Sequence, residues 1–240
     1  MPLPKIATPT YDIELPSTKQ EIKYRPFLVK EEKVLVIALE SQDNKQISNA
    51  IKTVLNNCII TKGIKVEKLP TFDIEYLFLN IRGKSVGEEV EVNIICPDDE
   101  ETTVKVKIEL DEIRVTENPD HTNKIKLDDN LMMELRYPSL DQFIKSNFDF
   151  TTDKTDIQSS FELIASCIDK IYSKDECWAS EDHTKTELIE FLDQMDTTQF
   201  KQIEKFFETM PKLSHKIKVT NPKTKVESEV VLEGLTSFFA

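Results

Sequence analysis

Glu89-Val90-Glu91-Val92-Asn93-Ile94-Ile95-Cys96-Pro97-Asp98-Asp99-Glu100-Glu101-Thr102-Thr103-Val104-Lys105-Val106-Lys107-Ile108-Glu109-Leu110 reads as a β-hairpin. Val90, Val92, Ile94 and Cys96 alternate with polar residues, and so do Val104, Val106, Ile108 and Leu110. A period of two puts each apolar set on one face of a strand. The acidic Pro97-Asp98-Asp99-Glu100 between them marks the turn. A second stretch near the C-terminus has the same form. Leu213, His215, Ile217 and Val219 alternate, Asn221-Pro222-Lys223-Thr224 turns, and Val226, Val230 and Leu232 return. The two hairpins form a weak internal repeat, too few copies for an array.

The rest of the chain groups around these hairpins. Tyr11, Ile13 and Leu15, then Ile22 and Tyr24, suggest a small N-terminal hairpin turning at Pro16-Ser17-Thr18. Val29–Glu40 is dense in apolar residues and reads as a helix. Ile47, Ala50, Ile51, Val54, Leu55 and Cys58 then fall at steps of three and four, and Gly63 breaks the run. Ile74, Leu77, Phe78 and Ile81 form a third stripe behind Pro70-Thr71. Three such helices are expected to bury their stripes against one another.

Beyond the central hairpin, 116–122 reads as a polar loop, and 123–127 and 131–137 as extended chain. A short helix is predicted at Leu140, Phe143 and Ile144. A longer one carries Ile157, Phe161, Ile164, Ala165, Ile168 and Ile171. Residues 173–184, with Cys177 and Trp178, read as a loop. Residues 186–207 read as two helices broken at an N-cap, Asp196-Thr197-Thr198. Helices and antiparallel hairpins are segregated, so the expected class is α+β, amphipathic helices with two ribbon-like, metal-free β-hairpins. The sequence divides into an N-terminal hairpin with helices (1–86), a central β-hairpin region (87–137) and a helical region ending in a hairpin (138–240), or forms one continuous domain.

Composition excludes several functions. The 240 residues hold 44 acidic and 31 basic side chains, a formal charge of −13. Such a surface repels phosphate backbones and anionic headgroups, so neither nucleic acid nor membrane is the expected partner. No apolar run approaches the roughly 20 residues that span a bilayer. Residues 1–9 lack the apolar stretch of a signal peptide. Cys58, Cys96, Cys167 and Cys177 show no CxxC spacing and read as reduced thiols. Four glycines provide no phosphate-cradling loop, and no cofactor is expected.

No catalytic set is expected either. A nucleophilic triad needs histidine beside a nucleophile and a carboxylate. His121 and His183 lie in polar loops, while His215 alternates in a strand with Leu213 and Ile217. The carboxylates at 98–101, 111–112 and 128–129 sit in turns, where water keeps them ionised. Cys96-Pro97-Asp98-Asp99 has the outline of a zinc knuckle, yet one thiolate does not close a tetrahedral site.

Three blocks carry a resemblance. The first is Leu3-Pro4-Lys5, Thr8-Pro9-Thr10-Tyr11 and Tyr24-Arg25-Pro26-Phe27-Leu28-Val29-Lys30-Glu31-Glu32-Lys33. The second is Leu69-Pro70-Thr71-Phe72-Asp73-Ile74-Glu75-Tyr76-Leu77-Phe78-Leu79, continuing to Arg82 and Lys84-Ser85-Val86-Gly87-Glu88. The third is Phe206-Phe207-Glu208-Thr209-Met210-Pro211-Lys212-Leu213 with Leu232-Glu233-Gly234-Leu235 and Phe238-Phe239. Together they resemble the baseplate hub and hub-assembly proteins of T-even-like contractile-tailed phages, over essentially the whole chain. Some relatives carry cysteine pairs in one or both hairpins, whereas this chain keeps only Cys96, so no metal site is expected.

The resemblance implies a non-enzymatic protein that binds other baseplate and hub proteins. It would reside in the virion tail baseplate, or in the host cytoplasm during assembly as a transient chaperone. A hub-associated cell-wall hydrolase is the enzymatic alternative. Candidate partner-binding residues are Tyr24, Phe27, Phe238 and Phe239, with the hairpin edge strands as further docking points.

Overall fold

In a computed structural model the described residues are 6–41, 43–139, 157–234 and 237. The helix expected at Leu140, Phe143 and Ile144 and the Phe238-Phe239 tail lie outside them. The chain is α+β and divides into two compact units. One comprises 1–116 with 212–240, the other 117–211.

The first unit begins with the N-terminal hairpin, β1 (Tyr11–Glu14) and β2 (Glu21–Tyr24), paired Ile13 to Ile22 and Tyr11 to Tyr24. Helices α1 (Val29–Glu40) and α2 (Asn44–Cys58) follow. The Asp43 carboxylate caps α2 by accepting from the Lys45 and Gln46 N–H groups. At the exit of α2, Ile60 N–H donates to the Lys23 carbonyl and Arg25 N–H to that of Cys58, which fastens the helix end to β2.

Helix α3 (Thr71–Val86) is the centre of this unit. Phe72, Ile74, Leu77, Phe78, Leu79 and Ile81 are all buried. Gly87 ends it at φ +127°, where a side chain is strained. Asp73, in the first turn of α3, is fully buried and accepts from Ser17 N–H at 3.0 Å and from the Ser17 hydroxyl. That contact holds the tip of the N-terminal hairpin to α3. Burial pushes the Asp73 carboxyl up, against the lowering effect of the Ser17 hydrogen bonds.

The hairpin that opens the sequence analysis is β3 (Glu89–Ile95) with β4 (Thr103–Glu109), in register Val92 to Val106. After a short 3-10 turn comes β5 (Arg114–Thr116). The C-terminal hairpin, whose strands are here named β10 (Lys212–Thr220) and β11 (Glu227–Glu233), lies in the same unit and pairs with β5, Leu213 opposite Val115. Val90, Val92, Ile94 and Ile108 from one hairpin and Leu213, Ile217, Val219 and Leu232 from the other share one core with Leu79 of α3. The sequence-based grouping of this hairpin with 138–211 therefore differs from the grouping that the contacts give. The β5–β10 pairing ties the ends of the first unit together at the points where the second begins and ends.

The second unit has a four-stranded sheet in the order β6-β7-β8-β9. Its strands are β6 (Lys124–Lys126), β7 (Met132–Leu135), β8 (Ile168–Tyr172) and β9 (Cys177–Ala179). Helices α4 (Ile157–Cys167), α5 (Lys185–Leu192) and α6 (Thr197–Thr209) complete it. Ile125, Met133, Leu135, Ile164, Leu192, Ile203 and Phe206 pack into one core. Thr184 and Asp196 cap α5 and α6, and each forms a capping box with the residue three positions on.

Two expectations are corrected here. The stripe ending at Ile168 and Ile171 is not one helix. α4 stops at Cys167, and Ile168–Tyr172 is a strand paired with both β7 and β9. The register steps from Glu134–Lys170 to Leu135–Ile168, so Asp169 is an extra residue in β8. Such a bulge lets Ile168 and Ile171 both face the core, a three-residue spacing that imitates a helix. The supposed loop 173–184 also holds β9 and a 3-10 turn, Ser180–Asp182.

Candidate docking site

Helix α1 is apolar around most of its circumference: Val29, Val34, Leu35, Val36, Ile37, Ala38 and Leu39. A helix of that kind is normally buried on every side. Here only Glu31 and Ala38 are buried. Val29 is 66% exposed, Ile37 64%, Leu39 58% and Val36 48%. At about 100° per residue, Glu31, Leu35 and Ala38 lie on one side, and Val29, Val36 and Ile37 on the opposite one. The expectation that all three early helices bury their stripes against one another therefore fails for α1. The sequence signal was present as an apolar helix without a polar face, in contrast to α2.

The inner face of α1 is well fixed. The Glu31 carboxylate accepts from the Leu28 N–H at 2.9 Å and from the Arg25 guanidinium at 3.0 Å. Burial alone would raise its pKa, but these hydrogen bonds, with Lys30, hold it below the usual range. The helix is anchored at its start while its outer face stays exposed.

The four candidate residues fare differently. Tyr24 is 2% exposed, its ring tilted on that of Tyr11 at 5.8 Å between centroids. Burial, followed by the neighbouring Tyr11, Tyr76 and Glu88, pushes its phenol up to about 12. Its ring is spent on packing and offers no surface to a partner. Phe27 is half-buried, its N–H donating to Ser85 Oγ at 2.9 Å, and it leads directly into the exposed Leu28 and Val29. Phe238 and Phe239 lie outside the described residues.

The outer faces of the hairpins, whose edge strands are candidate docking points, carry cross-strand ion pairs beside the exposed Ile95 and Val231. Lys105 pairs with Glu91, Lys107 with Glu89, Lys216 with Glu229 and Lys218 with Glu227 across the strands. Exposed pairs of this kind contribute little stability, but they keep strand surfaces from adhering to other chains.

The hairpin tips repeat one geometry. Cys96 carbonyl accepts from Glu100 N–H, and Asn221 carbonyl from Lys225 N–H, each at 2.9 Å. Glu100 and Lys225 both take positive φ, 55° and 65°. The repeat seen in the sequence is thus a repeat of turn conformation, with Cys96 and Asn221 equivalent. The tips are joined by the Asp98 carboxylate, which accepts from Asn221 Nδ2 at 3.0 and 3.1 Å and from the Thr224 hydroxyl. Thr224 and Asn221 hold that carboxyl below its usual range. Among the described residues, no group of three or more His, Cys, Asp and Glu side chains is arranged to hold a metal ion.

His121 shares hydrogen bonds with Thr209 Oγ1 and Tyr137 Oη, both at 2.9 Å, and stacks on Tyr137. Both ring nitrogens are occupied, and desolvation lowers its pKa. Burial pushes the thiols of Cys58 and Cys167 up to about 11 and about 12, which leaves them unreactive.

The family model described as "T4 bacteriophage base plate protein" matches residues 8–240. No curated protein and no solved structure matches the chain.

Proposed function

The chain belongs to the T4 bacteriophage base plate protein family, and on that premise we propose that it is a hub component or hub-assembly factor. It acts by binding other baseplate proteins while the contractile tail is built. The observation that carries this reading is the outer face of α1, a rigidly anchored helix with large aliphatic side chains in water. Contiguous apolar surface of this kind favours a protein partner. The formal charge of −13 disfavours nucleic acid and anionic lipid, and no described helix is long and apolar enough to cross a membrane. The protein is read as a binder and not as a catalyst, in keeping with a histidine whose ring nitrogens are engaged and with thiols whose pKa is raised by burial.

Mass spectrometry of purified virions, with an infected-cell lysate as control, tests the reading. A few copies per particle support a structural hub subunit. Abundance in the lysate with absence from particles points to an assembly factor. Absence from particles and from every tail intermediate refutes both.

A further inference from the structure

We infer that α1 pairs antiparallel with α1 of a second copy of this chain. The inference rests on reading α1 as a protein interface and not on the hub role itself. The outer face of α1 carries, in order, Val29, Lys33, Val36, Ile37 and Glu40. Lys33 and Glu40 are seven residues apart, so they differ by only about 20° around the helix and stand about 10 Å apart along it. Val36 and Ile37 lie midway between them.

A two-fold axis through that midpoint sets Val36 of one copy beside Val36 of the other, and Ile37 beside Ile37. It also sets Lys33 of each copy level with Glu40 of the other, at both ends of the apolar centre. An isologous interface requires this self-complementarity, in which a patch meets its own reverse. Both charges are unspent: among the described residues neither Lys33 nor Glu40 forms an ion pair, whereas neighbouring Lys30 and Arg25 are committed to Glu31.

The area is adequate for a modest association. From their exposures, Val29, Val36 and Ile37 present about 300 Å² of aliphatic surface per copy, under half of what one partner contributes to a standard interface. The stems of Lys33 and Glu40 add to it. A dimer with micromolar dissociation is expected. Other occupants, such as a helix of a different tail protein, would not need opposite charges at a symmetric spacing.

The test is sedimentation equilibrium on the full chain, up to about 100 µM. The wild type is expected to dimerise, and Val36→Glu to be monomeric with an unchanged circular-dichroism spectrum, since Val36 is about half exposed. Lys33→Glu and Glu40→Lys each turn two attractions into repulsions and should weaken association about tenfold or more. The double swap should restore it to within about threefold of wild type. A wild type that stays monomeric throughout overturns the inference, as does a dimer indifferent to Val36→Glu or a double swap without rescue. If the monomeric wild type enters baseplates and Val36→Glu does not, α1 docks on another tail protein. Self-pairing then fails while the proposed function stands.

Discussion

Asp73 is a buried polar group whose loss should disturb the first unit. It is fully buried in the first turn of α3 and accepts both the N–H and the hydroxyl of Ser17, 56 positions earlier. Asp73→Ala removes both bonds and leaves the Ser17 N–H without its acceptor. A hydrogen bond to a charged group is worth about 1.5–3 kcal/mol, and the half-buried Ser17 N–H regains part of its loss from water. The effects overlap, so the expected loss is about 2–4 kcal/mol. For a chain of 240 residues each kcal/mol shifts Tm by about 2–4 °C, which gives a drop of about 4–16 °C. Asp73→Asn keeps an acceptor for Ser17 and should cost far less. It also carries a pH signature. The folded-state pKa of Asp73 is raised, so its contribution to stability is fully present below the unfolded value, about 3.9, and is lost as pH rises through the folded value. Relative to Asp73→Asn, the wild type should therefore gain stability as pH falls from 7 towards about 4. Urea titrations at several pH values give both quantities. An Asp73→Ala variant melting within about 1 °C of wild type would refute the account of how the hairpin is held.

Two further outcomes are expected. Asn221→Asp puts a second carboxylate against Asp98 and should lower Tm at pH 7, and adding Asp98→Asn should recover most of the loss by restoring an amide–carboxylate pair, as differential scanning calorimetry of the three variants would read. His121 has a folded pKa below its unfolded value, so its contribution to the stability of the second unit is present above about 6.5 and is lost as pH falls through the folded value. NMR titration of its imidazole should give a midpoint below 6.5, and a midpoint above that value would contradict its desolvation between Tyr137 and Phe206.

Where local pattern and final environment agree, the sequence is easy to read. The period-two runs at Val90–Val92–Ile94 and Ile217–Val219 become strands because both hairpins turn those faces to one core. The capping residue Asp196 sits where α6 begins, since a side-chain acceptor at an N-cap is a local device. What fails depends on distant partners. Ile168 and Ile171 are three apart in any conformation, and only pairing with β7 and a bulge at Asp169 decides for a strand. β5 is three residues long and exists because β10, about 100 positions later, pairs with it. Among the candidate site residues, Tyr24 was read as available because an aromatic beside Arg25-Pro26 serves packing and docking equally well by sequence alone. The structure places it under Tyr11 and against buried neighbours.

The same reasoning explains why α1 escaped notice as a site. Apolar density normally signals burial, and the sequence contains no separate code for burial by another chain. The distinction emerges only once the other apolar faces are accounted for. Hairpin residues meet over Leu79, α3 is buried along most of its length, and the sheet of the second unit closes against its own helices. α1 is the helix in which Val29, Val36, Ile37 and Leu39 remain in water although Glu31 fixes it in place. A mobile segment with this composition would collapse onto the nearest apolar surface. An anchored one keeps its face outward, and the free energy of covering that face is left for association. The cross-strand ion pairs on the outer faces of both hairpins work in the opposite direction around the exposed Ile95 and Val231. One adhesive helix beside charged strand surfaces restricts where a partner can sit, and an assembly built from many different proteins needs that restriction to join its parts in a fixed arrangement.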